Sequence, residues 1–196
     1  MTIDEKYMRR CIQLARNGIC HAAPNPMVGA VIVRDGKIIG EGYHVCCGEG
    51  HAEVNAIASV KDESLLKDAT IYVSLEPCSH YGKTPPCADL IIRKGIPRVV
   101  VGCVDPFSLV AGRGIQKLRD AGIEVTVGVL EKECRELIRA FVTFNLKKRP
   151  YIILKWAQSA DGFLDIRRED GNAVRLSTPL STLAVHKMRA EQKAIL

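Results

Sequence analysis

The amino-acid sequence predicts an α/β domain of layered architecture. Segments with apolar residues at helical intervals alternate along the chain with short apolar runs that have the length of strands. Asp35 and Gly36 separate two of these runs, and an Asp-Gly pair in this position is a strong hairpin signal. Right-handed crossovers are expected where strands run parallel. We therefore predict a sheet that is flanked by helices.

The first half of the chain has the signals for two helices and three strands. Apolar residues recur at helical intervals over residues 4–17, and a run of good helix formers begins at His51. Residues 27–33, 37–43 and 69–75 are apolar runs of strand length. The second predicted helix therefore lies between two predicted strands.

The second half of the chain repeats the alternation. It predicts helices over residues 86–95, 113–121 and 131–146, and strands over residues 97–104 and 123–130. The spacing of the last helix turns apolar side chains inward and leaves one cysteine on its surface. The inward residues are Leu137, Ile138, Phe141 and Phe144, and the surface residue is Cys134.

The character of the sequence changes after residue 146. The densest group of positive charges is Lys147, Lys148 and Arg149, and we interpret it as a solvated inter-domain linker in preference to a nucleic-acid patch. We predict a first domain over residues 1–146 and a second segment over residues 147–196. The second segment is expected to contain a strand, a helix and the first residues of another strand. These cover residues 151–155, 180–193 and 194–196.

Composition and charge narrow the class of protein. The net charge of +6 is modest and spread along the chain, so no nucleic-acid partner is expected. No apolar run approaches the about 20 residues of a membrane span, and the N-terminus lacks the apolar core of a signal peptide. A cytoplasmic location without membrane contact is expected. The eight cysteines are then read as metal ligands and buried thiols and not as disulfides.

The candidate metal ligands and a candidate proton-transfer residue lie in one stretch of the sequence, residues 51–87. His51, Cys78 and Cys87 provide one imidazole and two thiolates, which is a sufficient ligand set for a catalytic zinc that keeps its fourth position for water. Glu53 follows the proposed histidine ligand by two residues, in the first turn of the predicted helix. This carboxylate is placed to move protons and not to bind the metal.

A closed structural zinc site is the alternative for these ligands. It would need a fourth ligand such as His80 or Cys47, and Cys46 also lies close to His51 in the sequence. A glutamate beside the histidine ligand has no purpose in such a closed site, so the catalytic interpretation is favoured.

Several polar residues could contact a substrate. Asn25, held extended between two prolines, can offer both a donor and an acceptor, although an Asx turn would explain it equally well. Lys83 could supply a positive charge for a phosphate and Thr84 a hydroxyl, although an exposed polar loop explains both. Asp105 could accept from a ribose hydroxyl or open a turn before Pro106.

The spacing of the motif indicates a family. His51-Ala-Glu53 followed by Pro-Cys78 matches the signature of the zinc deaminases, except that eight residues separate Cys78 from Cys87. This spacer, together with Pro-Asn-Pro-Met-Val-Gly over residues 24–29, resembles the deaminase half of the bifunctional deaminase/reductases of riboflavin biosynthesis. The resemblance covers residues 1 to about 146.

The resemblance implies a fold, a reaction and a substrate. The fold is the three-layer cytidine deaminase-like domain with a central mixed sheet. The reaction is the zinc-dependent deamination of 2,5-diamino-6-(5-phosphoribosylamino)pyrimidin-4(3H)-one, a pyrimidine nucleotide. It also implies that His44, His80, Lys83 and Thr84 contact the substrate, with Asp105 near the ribose. Phe107 stands where the family usually has Asn, so the hydrogen bond of that Asn is in doubt.

Residues 155–162 are similar to the Lys-x-x-x-Ser-x-Asp-Gly opening of the family's reductase domain, which resembles dihydrofolate reductase. Matching of motifs puts Ala157 near a nicotinamide cofactor and Arg189 near the phosphate of the reductase substrate. A segment of about 46 residues is too small to bury an adequate core. NADPH is expected only with a complete reductase domain, and no reductase activity is expected here.

Two other functions compete with this interpretation. Deoxycytidylate, guanine and tRNA adenosine deaminases belong to the same superfamily, but they usually have the short Cys-x-x-Cys spacing. A zinc-stabilised binding module without catalysis is the alternative from another class. Superfamily members commonly form dimers or tetramers, so a homo-oligomer is expected.

Overall fold

The structure is a computed structural model that describes residues 1–81, 85–106, 111–165 and 175–196. The chain forms two units, Met1–Tyr151 and Ile152–Leu196. Lys83, Thr84 and Phe107, which the sequence singled out, lie outside the described residues.

A mixed sheet forms the centre of the first unit. Its five strands within the described residues are β1 (Gly29–Arg34), β2 (Lys37–Tyr43), β3 (Thr70–Leu75), β4 (Arg98–Cys103) and β5 (Glu124–Val127). The strand order is β2-β1-β3-β4-β5, with β1 antiparallel to both of its neighbours and β3, β4 and β5 parallel. The predicted α/β domain with a mixed sheet is confirmed.

This topology brings four chain segments to one edge of the sheet. Because β1 runs opposite to β2 and β3, the start of β1 lies beside the ends of β2 and β3. The end of β4 lies at the same edge because β4 is parallel to β3. The residues just before β1 and just after β2, β3 and β4 therefore meet there, as is usual for ligand sites in sheets with crossovers.

Helices cover both faces of the sheet. Those of the first unit are α1 (Ile3–Ala15), α2 (Ala52–Ala58), α3 (Cys87–Lys94), α4 (Arg113–Asp120), α5 (Glu131–Leu137) and α6 (Arg139–Lys147), with 3-10 turns at Arg16–Gly18 and Glu63–Asp68. None of the helices in the described part of the chain has the length and apolarity that a bilayer crossing requires.

Alternate residues of each strand enter two separate cores. Ile32 and Ile71 pack with α2, α3 and α4 on one face. Val31 and Tyr72 pack with α1 and α5 on the other. Successive strand residues point to opposite faces, so a strand that is covered on both sides reads as a continuous apolar run. This explains why the strands could be located from the sequence.

Local signals fix the first elements as predicted. Thr2 and Glu5 form a capping box at the start of α1, where each side chain binds the other's backbone N–H. Asp35 and Gly36 both have positive φ angles, 50° and 71°, as a two-residue hairpin turn of the first primed type requires.

The prediction of one helix over residues 131–146 was wrong. The chain bends at Ile138, whose φ and ψ of −104° and 16° separate α5 from α6. Cys134 is buried and not on the surface, because Gly102 on β4 leaves room for its thiol: a Cβ at Gly102 would lie 2.4 Å from Cys134 Sγ. Phe144 is exposed and not inward.

The second unit contains α7 (Pro179–Ala190), which Thr178 caps and Pro179 begins. The strands predicted over residues 151–155 and 194–196 do not form within the described residues. A strand needs a neighbour for its backbone hydrogen bonds, and the described part of the chain provides none there. No described residue of this unit is buried.

Candidate metal centre

The three proposed metal ligands come together at the edge where the strands end. His51 is the residue before α2, Cys78 follows β3, and Cys87 is the first residue of α3. His51 Nδ1 lies 3.5 Å from Cys78 Sγ and 3.3 Å from Cys87 Sγ. The three ligand atoms all lie within 4.8 Å of one another and could hold one metal ion.

The spacing of these atoms fits zinc. With Zn–N near 2.0 Å and Zn–S near 2.3 Å, the N-to-S edge of a tetrahedron is about 3.5 Å. The two measured N-to-S distances lie close to this value. One imidazole and two thiolates leave the fourth position of a tetrahedral site open.

The environment of Cys78 favours its thiolate. Hydrogen bonding with the Cys87 thiol, and then with His51, holds the pKa of Cys78 below its usual value. The same contact with Cys78 raises the pKa of Cys87, and the hydrogen bond with Cys78 raises the pKa of His51. The backbone N–H of Cys87 also donates to Cys78 Sγ at 3.3 Å. The site is therefore prepared for a cation, which deprotonates coordinating thiols.

Glu53 lies in the first turn of α2 and is 3% exposed. Burial raises its pKa from 4.5 to about 7, and the negative charge of Cys78 raises it further than His51 lowers it. A carboxyl group with this pKa exists in both protonation states near neutral pH, which suits an acid and base catalyst. Glu53 is therefore not a solvated charge on the surface of α2.

Asn25 and His44 form a hydrogen-bonded pair beside His51. Asn25 Nδ2 lies 3.1 Å from His44 Nε2, and His44 Nδ1 lies 3.1 Å from the carbonyl oxygen of Gly50. Nδ1 therefore donates to the carbonyl and Nε2 accepts from the amide. The rings of His44 and His51 meet edge to face at 5.5 Å. His44 is 3% exposed, so its ring is buried beside that of His51.

The other predicted contacts are less closely gathered. Asp105 lies at the end of β4, at the same edge as Cys78, and is partly exposed. His80 is exposed, and neither Cys46 nor Cys47 belongs to the metal cluster in the described part of the chain. Lys83 and Thr84 lie outside the described residues, so their prediction is not tested.

The two residues predicted for the reductase lie in the second unit. Ala157 is partly buried and Arg189 is exposed near the end of α7. Their roles stay predictions.

Glu76, for which the sequence predicted no role, is buried beside the candidate site. Only 4% of the residue is exposed, and its carboxylate accepts hydrogen bonds from backbone N–H groups near Asp105 and α4. A charged residue directly after a buried strand was the signal that could have identified it.

A mixed sheet flanked by helices, with one imidazole, two thiols and a buried glutamate at one edge, defines the class of zinc-dependent deaminases. Residues 1–103 match the cytidine and deoxycytidylate deaminase zinc-binding region, and the chain belongs to this family. The His51, Cys78 and Cys87 cluster suits zinc, the metal that the family description names.

Longer relatives match nearly the whole chain. Riboflavin biosynthesis protein RibD of Aquifex aeolicus is 48% identical over 99% of the chain and 53% of the relative. The solved structure of a diaminohydroxyphosphoribosylaminopyrimidine deaminase/5-amino-6-(5-phosphoribosylamino)uracil reductase from Thermotoga maritima has a TM-score of 0.86 and 46% identity, over 95% of the chain and 53% of its own. Acinetobacter baumannii RibD has a TM-score of 0.85 and 41% identity, over 96% and 52%. The chain spans about half the length of these relatives.

Proposed function

We propose that the chain catalyses the hydrolytic deamination of an aminopyrimidine nucleotide, 2,5-diamino-6-(5-phosphoribosylamino)pyrimidin-4(3H)-one. The observation that carries the proposal is the buried Glu53 beside the cluster of His51, Cys78 and Cys87. The substrate is suggested by the names of the relatives from Aquifex aeolicus and Thermotoga maritima. The eight-residue spacer between Cys78 and Cys87 favours the same substrate over those of other deaminases.

In this proposal His51, Cys78 and Cys87 hold the zinc ion. When bound, zinc lowers the pKa of a water molecule, so that an oxygen nucleophile is available near neutral pH. Glu53 takes the proton that the water loses and delivers it to a ring nitrogen. Glu53 then assists the transfer of a proton to the departing amine. A C–O bond forms at the amine-bearing carbon, the C–N bond breaks, and ammonia leaves.

Asn25 and His44 are proposed to orient the substrate together. His44 Nε2 occupies the donor side of the Asn25 amide, at 3.1 Å. The Asn25 carbonyl oxygen is then the group that can accept from a substrate amine or hydroxyl. His44 would act by fixing this orientation.

The remaining contacts are proposed from the family resemblance. Asp105 would accept from a ribose hydroxyl, and His80 and Thr84 would add polar contacts. Lys83 would supply a positive charge for the phosphate.

Reduction of the product is not proposed for this chain. NADPH would bind only to a complete reductase domain, in which Ala157 would approach the cofactor and Arg189 the phosphate of the substrate. A homo-oligomeric state and a cytoplasmic location stay predictions from the sequence.

Metal content and ammonia release, measured on the same preparation, test the proposal. We expect about one zinc per chain, with ammonia released from the diaminopyrimidine nucleotide and none from deoxycytidylate. Ammonia from deoxycytidylate alone would indicate another deaminase of the family. Zinc without ammonia from either nucleotide would indicate a binding module, and protein that binds no metal would contradict the assignment of the ligands.

A further inference from the structure

A single buried carboxylate joins two parts of the candidate site. Glu76 directly follows β3, and its Oε1 accepts from the backbone N–H groups of Gly114 at 2.9 Å and Ile115 at 3.3 Å. Its Oε2 accepts from the N–H groups of Gly112 at 3.0 Å and Asp105 at 3.2 Å. Four donors among the described residues on one buried carboxylate are a strong and specific arrangement, because hydrogen bonds to an ionised group are the stronger ones.

Three of these donors belong to the start of α4. Gly112 occupies the position before the helix and has no side chain to cap it. Gly114 and Ile115 are the second and third helical residues, whose N–H groups have no acceptor within a helix. Glu76 therefore acts as the cap of α4 from another part of the chain, and its negative charge faces the favourable end of the helix.

The fourth donor, Asp105, lies just beyond the end of β4. One carboxylate thus holds both ends of the connection between β4 and α4. Asp105 is also the residue proposed to contact the ribose of the substrate. Glu76 is 4% exposed, so it could influence this contact only through the backbone that it holds.

The backbone of residues 76–78 connects Glu76 directly to the metal ligand Cys78. Its N–H donates to the carbonyl oxygen of Cys103 at 2.9 Å, which extends the pairing of β3 with β4. The carbonyl oxygen of Pro77 packs closely against Gly114, where a Cβ would lie only 2.0 Å away. Cys78 follows, and its carbonyl oxygen accepts from the N–H of Ala88 in α3.

We propose that Glu76 is a positioning residue that fixes Asp105 and the start of α4 relative to the metal ligand Cys78. The role in catalysis rests on the proposed deaminase function, whereas the anchoring of the two segments does not. A merely structural Glu76 would affect only the stability of the fold. A positioning residue must also change how well the substrate binds.

The Glu76→Gln variant tests this difference. Glutamine keeps the size of the side chain but replaces one acceptor oxygen by an NH₂ donor, so two of the backbone N–H groups lose their acceptor. We expect KM for the diaminopyrimidine nucleotide to rise about tenfold while kcat changes less than about twofold, because the distorted contact lies away from the reacting carbon. Zinc content is expected to equal that of the wild type.

Glu41→Gln is the matched control. Glu41 on β2 is a carboxylate of intermediate burial that is likewise held by hydrogen bonds, since it accepts two from Arg10 at 2.6 and 2.8 Å. The Glu41→Gln substitution weakens charged hydrogen bonds on β2, which β1 and β3 separate from β4 in the sheet. We expect reduced stability with an unchanged KM. A Glu76→Gln variant with the KM of Glu41→Gln would overturn the proposal.

Amide hydrogen exchange provides a readout that needs no substrate. In the zinc-loaded wild type, Gly112, Gly114 and Ile115 are expected to exchange as slowly as strand residues. In Glu76→Gln we expect faster exchange at Gly114 and also at Ala88, which reports the Cys78 segment. Faster exchange at Gly114 alone would contradict the coupling of the two segments.

Amide hydrogen exchange also tests the anchoring by Glu76 independently of the proposed deaminase function. A wild type that does not deaminate the nucleotide contradicts the function, while the coupled exchange of Gly114 and Ala88 still decides the anchoring. Should Glu76→Gln fail to fold, Gly114→Ala replaces it: its methyl group would lie 2.0 Å from the carbonyl oxygen of Pro77 and 3.2 Å from Glu76 Oε1, which displaces the start of α4 without removing the Glu76 carboxylate. The expected change in exchange and in KM is the same, and a wild-type KM in this variant would reject the proposal.

Discussion

Two glutamates are buried near the candidate metal centre, and they differ in what replaces the water that each has lost. Glu53 lies at the start of α2, and desolvation is the main cause that raises its pKa to about 7. Glu76, at the end of β3, accepts four hydrogen bonds from the backbone of the described residues. They are the two buried acidic residues within the described part of the chain.

This difference shows that a buried carboxylate can serve either in proton transfer or in holding backbone groups in place. A carboxylate that loses water with little compensation can exchange a proton near neutral pH, as a catalyst must. A carboxylate surrounded by N–H donors is held in one place and holds the donors in turn. Experiments that treat both residues alike can therefore separate chemistry from positioning.

The largest expected effect is that of Glu53→Gln on turnover. Glutamine fills the same space but cannot take up a proton, so kcat should fall by about 10³- to 10⁴-fold. The comparison with Glu76→Gln is direct, because that variant should change KM and not kcat. Steady-state kinetics of both variants, with zinc content and circular dichroism as controls, measure the difference. A Glu53→Gln variant with substantial turnover would remove the proton-transfer role of Glu53.

Loss of a metal ligand should have the next largest effect. Cys87→Ser replaces a thiolate by a weakly acidic hydroxyl, and zinc affinity should fall by more than the about 100-fold that an outer partner can contribute. Competition with a chelator of known affinity measures this change.

Cys46→Ser is the matched control for Cys87→Ser. Cys46 lies in the loop before His51 but outside the metal cluster in the described residues, so its variant should bind zinc as the wild type does. Equal losses in the two variants would show that the ligand set has been assigned wrongly.

Protonation of Glu53 should also make the free energy of unfolding of the metal-free protein depend on pH. Its pKa is raised from 4.5 to about 7 in the folded state, so the folded protein binds the proton more tightly than the unfolded chain. The resulting stabilisation is complete below about pH 4.5 and is lost as pH rises through about 7. The interval between these pKa values corresponds to about 3 kcal/mol.

Urea unfolding of metal-free wild type and Glu53→Gln at pH 5 and pH 8 measures this effect. The free energy of unfolding of the wild type should fall relative to the variant between the two pH values, by about 2 to 3 kcal/mol. Groups other than Glu53 are common to both proteins, so the difference isolates this carboxyl. A difference that is independent of pH would contradict a raised pKa.

The part of the site around Glu53 could be predicted from the sequence. Ligand types and their order suggested that His51, Cys78 and Cys87 meet, and the structure brings their ligand atoms within 4.8 Å. The strands and the hairpin were accessible for a similar reason, since apolar runs and the Asp35-Gly36 pair act over a few residues.

The part of the site around Glu76 could not be predicted from the sequence in this way. Its donors lie 29 to 39 residues further along the chain, and backbone N–H groups carry no residue identity that a pattern could reveal. The burial of Cys134 was missed for a related reason, because it depends on the absent side chain of Gly102 on another element. Contacts of this kind are set by tertiary packing.

The smallest expected effect comes from Gly112, the residue before α4. Its φ is 76°, so Gly112→Ala should cost about 1 kcal/mol of stability through strain in the left-handed region. Gly36 in the hairpin has a similar φ of 71°, and no described atom lies within 4 Å of a Cβ at either glycine. Gly36→Ala should therefore lose a similar amount of stability, which urea unfolding measures.

Kinetics should distinguish the two glycine variants. Gly112 donates to Glu76 Oε2, so strain there shifts the connection between β4 and α4 and should raise KM by about two- to threefold. Strain at Gly36 lies at the far end of the hairpin and should leave KM unchanged. If both variants keep the wild-type KM at equal loss of stability, the start of α4 tolerates displacement, and anchoring by Glu76 matters for the fold alone.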